Sequence, residues 1–183
     1  MILGDLCARN CAFCAVKHSD KPLPPPSIEE PLKVASAVVK MGLRHAVITS
    51  VTRDDLPNGG AEFFAAVIEE IRLLSPKTKI EVLTPDFLGK IDSLSTVIDA
   101  GPDIFNHNIE TVERLTPLIR SSANYERSLN VLSSVKKISK KNIVVKSGIM
   151  LGLGEEEKEI EETLRDLRGA GVEMLTIGQY ICP

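Results

Sequence analysis

Apolar residues fall into short aliphatic runs separated by stretches with helical spacing. The runs at 1–4, 46–51, 80–83, 104–105, 143–145 with 149–151, and 174–177 show little polar alternation, which predicts six strands buried on both faces. Between them Ile28, Leu32, Ala35 and Val39 share one helical face, as do Phe64, Val67, Ile71 and Leu74. Ile160, Leu164 and Leu167 repeat the spacing later. Ser27 is a candidate N-cap for a helix over 28–40, and Gly42 suits its exit. Glu155, Glu156 and Glu157 open the last helix, where negative charge complements the partial positive charge of the N-terminus. Strand followed by helix, repeated, predicts an α/β fold with parallel strands joined by right-handed crossovers. Periodicity leaves open whether that sheet is flat or rolled into a barrel.

Polar clusters follow the strands: Cys7 after the first, Thr49, Ser50, Arg53, Asp54 and Asp55 around the second, and Asp86 after the third. Asn106, His107, Asn108 and Glu110 follow the fourth, 152–155 the fifth, and Gln179 and Tyr180 the sixth. Loops at the carboxyl ends of parallel strands build active sites, so this placement predicts one shared mouth; equally, loops are polar in any protein. The Pro22–Pro26 stretch is a stiff lead into the first helix, too short to separate domains. A single domain over 1–183 is expected. Its start inside the first strand and its stop just past the sixth read as a core cut short at both ends.

Composition narrows the class. With 43% apolar, 26% charged and 4% aromatic residues among 183, and no Trp, the chain is an aliphatic globular one, and disordered or collagen-like structure is excluded. A net charge of −3 supplies no field for nucleic acid or an anionic membrane. No apolar run approaches the ~20 residues that span a bilayer, and no signal peptide is visible. The expectation is a reducing compartment: cytoplasm, or an organelle matrix such as that of a mitochondrion or plastid. Four cysteines are too few for a disulfide scaffold in a chain this long.

Three of them, Cys7, Cys11 and Cys14, make a C-x3-C-x2-C run on the loop leaving the first strand. Three thiolates can hold three irons of a cubane and leave the fourth open to a substrate or cofactor. Zinc also favours thiolate, and His18 or Cys182 could complete its four ligands. Spacing alone leaves both open. Three unligated thiols fit less well with the polar neighbours Arg9, Asn10 and Lys17.

With Phe13 before Cys14, the run resembles the radical S-adenosylmethionine signature, C-x3-C-x-aromatic-C. M-I-L-G-D (1–5), V-I-T-S-V-T-R-D-D-L (47–56), G-G-A (59–61), I-E-V-L-T-P-D-F (80–87), F-N-H-N-I-E-T-V (105–112), M-L-G-L-G-E (150–155) and L-T-I-G-Q-Y (175–180) narrow the match. Together they are similar to the lipoyl synthase family along nearly the whole chain. The resemblance favours iron–sulfur over zinc and implies a partial (β/α)6 TIM-like barrel with the cluster at its mouth. It implies a 4Fe-4S cluster on Cys7, Cys11 and Cys14, whose open iron takes the amino and carboxylate groups of S-adenosylmethionine. Electron transfer then yields a 5′-deoxyadenosyl radical that abstracts hydrogen from unactivated carbons. The implied substrate is an octanoyl chain on a lysine of a lipoyl-carrier domain, sulfurated at its sixth and eighth carbons, with ferredoxin or flavodoxin as electron donor. Asn106, Asn108 and Glu110, with Thr49 and Ser50 nearby, are implied contacts of the ribose and amino-acid groups. The loop 148–154, with Gly152 and Gly154, resembles the family's backbone approach to the adenine or methionine part. It is not a Rossmann fingerprint, having no third glycine.

Other residues read structurally. His107 is expected to be a strand-end structural histidine, and His45 has no suggested partner. Asp54 and Asp55 are expected in loop salt bridges. Lys136, Lys137, Lys140 and Lys141 read as a solvated helix end. The family's auxiliary 4Fe-4S cluster, its sulfur source, uses an N-terminal C-x4-C-x5-C motif and a serine in a C-terminal R-S-S-Y motif, and neither is in this sequence. Arg120-Ser121-Ser122 lies mid-chain, so no serine ligand is assigned to Ser121 or Ser122, and Cys182 cannot replace three cysteines. The expectation is the radical-generating half of the chemistry.

Overall fold

The structure is a computed structural model that describes residues 1–120 and 122–182. Two short strands, β1 (Leu6–Cys7) and β2 (Lys17–His18), pair in parallel at either end of the cysteine loop. Strands β3 (His45–Thr49), β4 (Lys79–Leu83), β5 (Ile104–Asn106), β6 (Val144–Leu151) and β7 (Met174–Gln179) form one parallel sheet in chain order. Helices α1 (Glu30–Lys40), α2 (Ala61–Leu74), α3 (Ile91–Asp99), α4 (Thr116–Ile119), α5 (Tyr125–Ile138) and α6 (Glu157–Gly169) fill the connections. Each strand lies beside its predecessor, which is the winding of a partial TIM-like barrel.

Alternation along the strands separates two surfaces. Ala46, Ile48, Ile80, Val82, Phe105 and Val145 are buried in the same core as Phe64, Val67, Ile68 and Ile71 of α2, Leu94 and Val97 of α3, and Leu132 and Val135 of α5. The in-register pair Asn106 and Lys146, with Glu81 one step lower on β4, occupies the other face, the lumen. Helix ends are fixed locally: Asn124 accepts the Arg127 N–H at 2.8 Å, and Glu156 with Glu159 makes a reciprocal capping box at the acidic start of α6.

Three expectations need correction. The first strand, expected at 1–4, is reduced to a single parallel bridge between Ile2 and Ser50. Leu3 and Gly4 have φ of 70° and 96°, which breaks the extended run, and the Leu3 N–H goes to Glu30 Oε2 at 2.8 Å instead of to a ladder. Five full strands and one bridge therefore fill six barrel positions. The buried stripe of α1 is Pro31, Ala35 and Val38; Ile28 is 89% exposed, and Leu32 and Val39 also face solvent. Both stripes contain Ala35, so apolar spacing does not choose between them. Ser27 does not cap the helix, whose N-cap is Glu29; its carbonyl instead accepts the Glu30 N–H at 3.1 Å in the preceding turn.

The amino ends of the strands are tied by Asp103. It pairs with Arg72 at 2.6 Å and Lys79 at 2.8 Å and accepts the Ile80 N–H at 2.9 Å. Partial burial raises this carboxyl, but these donors outweigh it and hold it down at about 2. Its stabilisation is present above the ordinary Asp range and is lost as pH falls from about 4 toward about 2. Asp103→Ala is expected to lower unfolding stability at neutral pH by about 1–3 kcal/mol, read by urea denaturation, and to flatten the acid limb below pH 4.

Candidate active site at the cysteine loop

The loops after β1, β3, β4 and β5 meet over the carboxyl ends of the strands around a cavity of about 280 Å³. Cys7, Cys11, Cys14, Thr49, Ser50, Asn108 and Glu110 all line it. Three other expected contacts do not. Asn106 lies lower in the lumen, where its amide donates to Glu81 at 3.1 Å. Gly152 and Gly154 sit in a turn closed on itself, with the Gly152 and Leu153 N–H groups directed to Glu155. Both glycines have φ of 103°, so the turn conformation itself calls for glycine. Ser121 lies outside the described residues.

Two backbone N–H groups, of Arg9 and Thr52, reach the Cys7 sulfur at 3.4 Å, and the Ala8 N–H binds the Thr52 carbonyl at 2.9 Å. On the other side, the Ala12 N–H binds the Ile119 carbonyl at 2.9 Å. The centre of the loop is held by Arg9, whose guanidinium is buried. It forks onto Asp54 at 2.6 and 2.9 Å and reaches Asp86 at 2.6 Å. Asp86 is fully buried; burial raises its carboxyl, and the Arg9 hydrogen bond and charge bring it below the usual range. Arg127 of α5 stands 3.3 Å from its second oxygen. Asp55 pairs with Arg53 at 2.8 Å, so both adjacent carboxylates are committed to loop ion pairs. Sequence places Asp86 at the mouth and Arg9 beside the cysteines but assigns neither of them, nor Arg120, a role; the available signal was a single arginine between ligand-type cysteines facing acidic strand-end loops.

His107 is buried at the back wall. Its Nδ1–H donates to the Thr84 carbonyl at 2.9 Å, and its Nε2 accepts from Ser128 Oγ at 3.0 Å. Ser128 Oγ in turn accepts from Arg120 at 2.9 Å. Burial, helped by the Arg120 charge, pushes His107 down to about 4, so it is a neutral structural histidine. Glu110 has a left-handed φ of 66° and continues the pairing with β6 through Gly148 and Met150. Its surroundings withhold water and raise its carboxyl against the pull of Arg120 and Asn108. Gly148 leaves room for Asn108: a Cβ there would lie 2.7 Å from Asn108 Oδ1.

The donor set can be tested against a ligand. Ser50 Oγ and Thr84 Oγ1 are buried on the cavity wall without a hydrogen-bond partner, and Phe13, Val16, Val51 and Leu83 supply an apolar surround. A single zinc ion needs thiolates about 2.3 Å from one point. Among the described residues no three His, Cys, Asp or Glu side chains are arranged for one ion. His18, a possible fourth ligand, is bonded to Asp20 and the Cys7 carbonyl, and Cys182 does not line the cavity. A cubane takes one thiolate per iron, so its ligands need only share a wall.

The Radical SAM superfamily pattern matches residues 1–167. This chain belongs to the radical SAM superfamily. That membership implies a 4Fe-4S cluster and S-adenosylmethionine. The chain is 58% identical over 183 residues to the lipoyl synthase of Rubrobacter xylanophilus, covering 100% of itself and 56% of that protein. It is 55% identical over 183 residues to that of Caldicellulosiruptor bescii, covering 100% of itself and 62% of that protein. It thus spans about 56–62% of the length of these curated relatives. Methylornithine synthase superposes with a TM-score of 0.74 at 14% identity, over 99% of this chain and 52% of that one. Streptococcus suis SuiB bound to S-adenosylmethionine gives 0.73 at 11%, over 97% of this chain and 38% of that one. These two neighbours establish the barrel fold alone. No helix among the described residues is long and apolar enough to cross a membrane.

Two outcomes follow. Because His107 is held well below its unfolded value, the native state binds fewer protons than the unfolded state between pH 6.5 and about 4. Stability is therefore expected to fall across that window by about 3 kcal/mol as pH drops, and His107→Phe to remove that slope in pH-dependent unfolding. Arg9→Met strips the buried Asp86 of its nearest cation, leaving it only Arg127 at 3.3 Å, and is expected to cost about 3–5 kcal/mol. Alkylation of Cys11 and Cys14 in the metal-free chain should quicken by roughly fivefold or more as the loop opens. Arg9→Lys should recover only part of this, since one ammonium cannot make the fork.

Proposed function

We propose that this chain carries the radical-generating core of a lipoyl synthase, acting on an octanoyl group held in amide linkage on a lysine of a carrier domain. The observation that carries the reading is the gathering of Cys7, Cys11 and Cys14 with Thr49, Ser50, Asn108 and Glu110 on one apolar-lined cavity. The 51–58% identity of the whole chain to lipoyl synthases supports the choice of substrate. When bound, a 4Fe-4S cluster and S-adenosylmethionine would together supply a 5′-deoxyadenosyl radical able to take hydrogen from an unactivated carbon.

The residues divide the work by chemistry. Cys7, Cys11 and Cys14 are the proposed cluster ligands, one sulfur per iron. Arg9 fixes their loop before any metal arrives. Ser50 Oγ, Thr49, Asn108 and Glu110 offer the hydroxyl, amide and carboxylate partners that a ribose and an amino acid require. Phe13, Val16, Val51 and Leu83 exclude water and present few polar hydrogens. Such walls suit a radical whose energy would otherwise be spent on solvent or side chains. Sulfur donation is not assigned to these residues: Cys182, the remaining thiol, is exposed and does not line the cavity. Reduction would come from a small electron carrier of the ferredoxin or flavodoxin kind.

Anaerobic reconstitution tests this. The chain is expected to take up about four irons, absorb broadly in the visible and change its electron paramagnetic spectrum when S-adenosylmethionine is added. Alanine at Cys7, Cys11 or Cys14 should abolish iron uptake, while Cys182→Ser should leave it intact. Colourless protein, or a spectrum indifferent to the sulfonium, would sink the reading.

A further inference from the structure

Cys11 and Cys14 are the two ends of a reverse turn, Cys11-Ala12-Phe13-Cys14, closed by the Cys14 N–H on the Cys11 carbonyl at 3.1 Å. Such closure holds the two Cα atoms within about 7 Å, and a disulfide joins Cα atoms about 4.4–6.8 Å apart. Neither Ala12 nor Phe13 takes a positive φ, so the turn carries no backbone strain that would open it. Its first corner is pinned from outside, because the Ala12 N–H is held by the Ile119 carbonyl at 2.9 Å. Both cysteines line the same cavity, and Cys14 is exposed to solvent.

Cys7 is placed differently. It lies in β1, where its carbonyl accepts the Ser19 N–H at 3.3 Å, and its sulfur accepts the N–H groups of Arg9 and Thr52 at 3.4 Å. Between Cys7 and the turn stands Arg9, whose fork on Asp54 and reach to Asp86 fix that stretch of loop. To pair with either other sulfur, Cys7 must give up both N–H contacts and the loop must move. Of the three pairings among the loop cysteines, the fold favours one.

We propose that, when no cluster occupies the loop, Cys11 and Cys14 are a redox modification site: a reversible disulfide made by exchange with a small-molecule disulfide, Cys7 remaining a thiol. The exposed Cys14 thiolate attacks one sulfur of the reagent; that S–S bond breaks, one reagent thiolate departs, and a mixed disulfide joins Cys14 to the other half. The Cys11 thiolate then attacks the Cys14 sulfur, and the second reagent thiolate leaves as the Cys11–Cys14 bond forms. Two cysteine thiols lose two electrons, one reagent disulfide gains them to become two thiols, and the two cysteine protons go to those thiols. A bridged sulfur is no thiolate ligand and is shielded from oxidation to the sulfinic state, so the loop is closed to iron and protected until a thiol reductant frees it. Loading of the site is thereby tied to the reducing state of its surroundings.

The metal-free full chain is equilibrated in mixtures of reduced and oxidised glutathione, quenched with acid, alkylated and digested with trypsin. Cleavage after Arg9, Lys17 and Arg168 puts Cys11 and Cys14 together in peptide 10–17, with Cys7 in 1–9 and Cys182 in 169–183. The expected product is peptide 10–17 without alkyl groups and two hydrogens below its reduced mass, in about tenfold excess over any pairing through Cys7. Because the folded turn brings its ends together, half-oxidation should need about five- to tenfold less oxidised glutathione than in urea. Cys11→Ser should stop at one glutathione added to peptide 10–17, which marks Cys14 as the thiol attacked first. A dominant bridge through Cys7, or a native chain no easier to oxidise than the unfolded one, overturns the proposal; both readouts use wild type and need no variant to fold. The bridged chain should take up no iron until dithiothreitol is added, and uptake without it overturns the gating. If the reduced chain also takes up no iron, the cluster reading fails while the mapped disulfide stands.

Discussion

The arrangement at the mouth depends on one buried guanidinium. Arg9 sits between two prospective ligands and is gripped by carboxylates 45 and 77 positions away in sequence. Taking a charge out of water costs several kcal/mol, and it is recovered only where partners converge with good geometry. Asp54 brings the loop after β3 and Asp86 the loop after β4, so the same contact that neutralises Arg9 draws two strand ends onto the cysteine loop. Asp86 gains a further cation from α5 through Arg127. It also caps the turn at Phe87–Gly89, where Phe87 and Leu88 hold left-handed conformations. Strain of that kind persists only where its surroundings over-determine it.

The lumen shows the opposite economy. Most of the barrel is aliphatic, yet Glu81, Lys146 and Asn106 face one another inside it. A buried ion pair is weak evidence of stability, since well-packed apolar residues often do as well. What such a row does provide is direction: its carboxylate fixes which way the neighbouring amide points. The cavity above is apolar with a few placed polar groups.

Much of this was legible from residue order. Aliphatic runs located β3 to β7, and the cysteine spacing with the strand-end polar clusters located the mouth, because both signals are local. Long-range choices were hidden. The two candidate stripes of α1 share Ala35, and only packing against α2 decides that Pro31 and Val38 turn inward. The 1–4 run reads as a strand, but nothing in its hydropathy announces that Leu3 takes a positive φ and gives its N–H to Glu30. Asn106 reads as one of four polar residues after a strand; its partner Glu81 is the one charge inside the run I-E-V-L, a signal visible in the sequence. The Arg9 fork joins three segments far apart in the chain, which spacing cannot express.

Gly148 carries a consequence for how this site changes over time. Its missing side chain is the space in which the Asn108 amide lies, so the two positions are a lock and its shadow. Any lineage that enlarges one must shrink or re-aim the other, and drift at either alone pushes a polar group out of the chamber. Across homologues the pair should be inherited together, a coupling set by steric exclusion between neighbouring segments of the barrel wall.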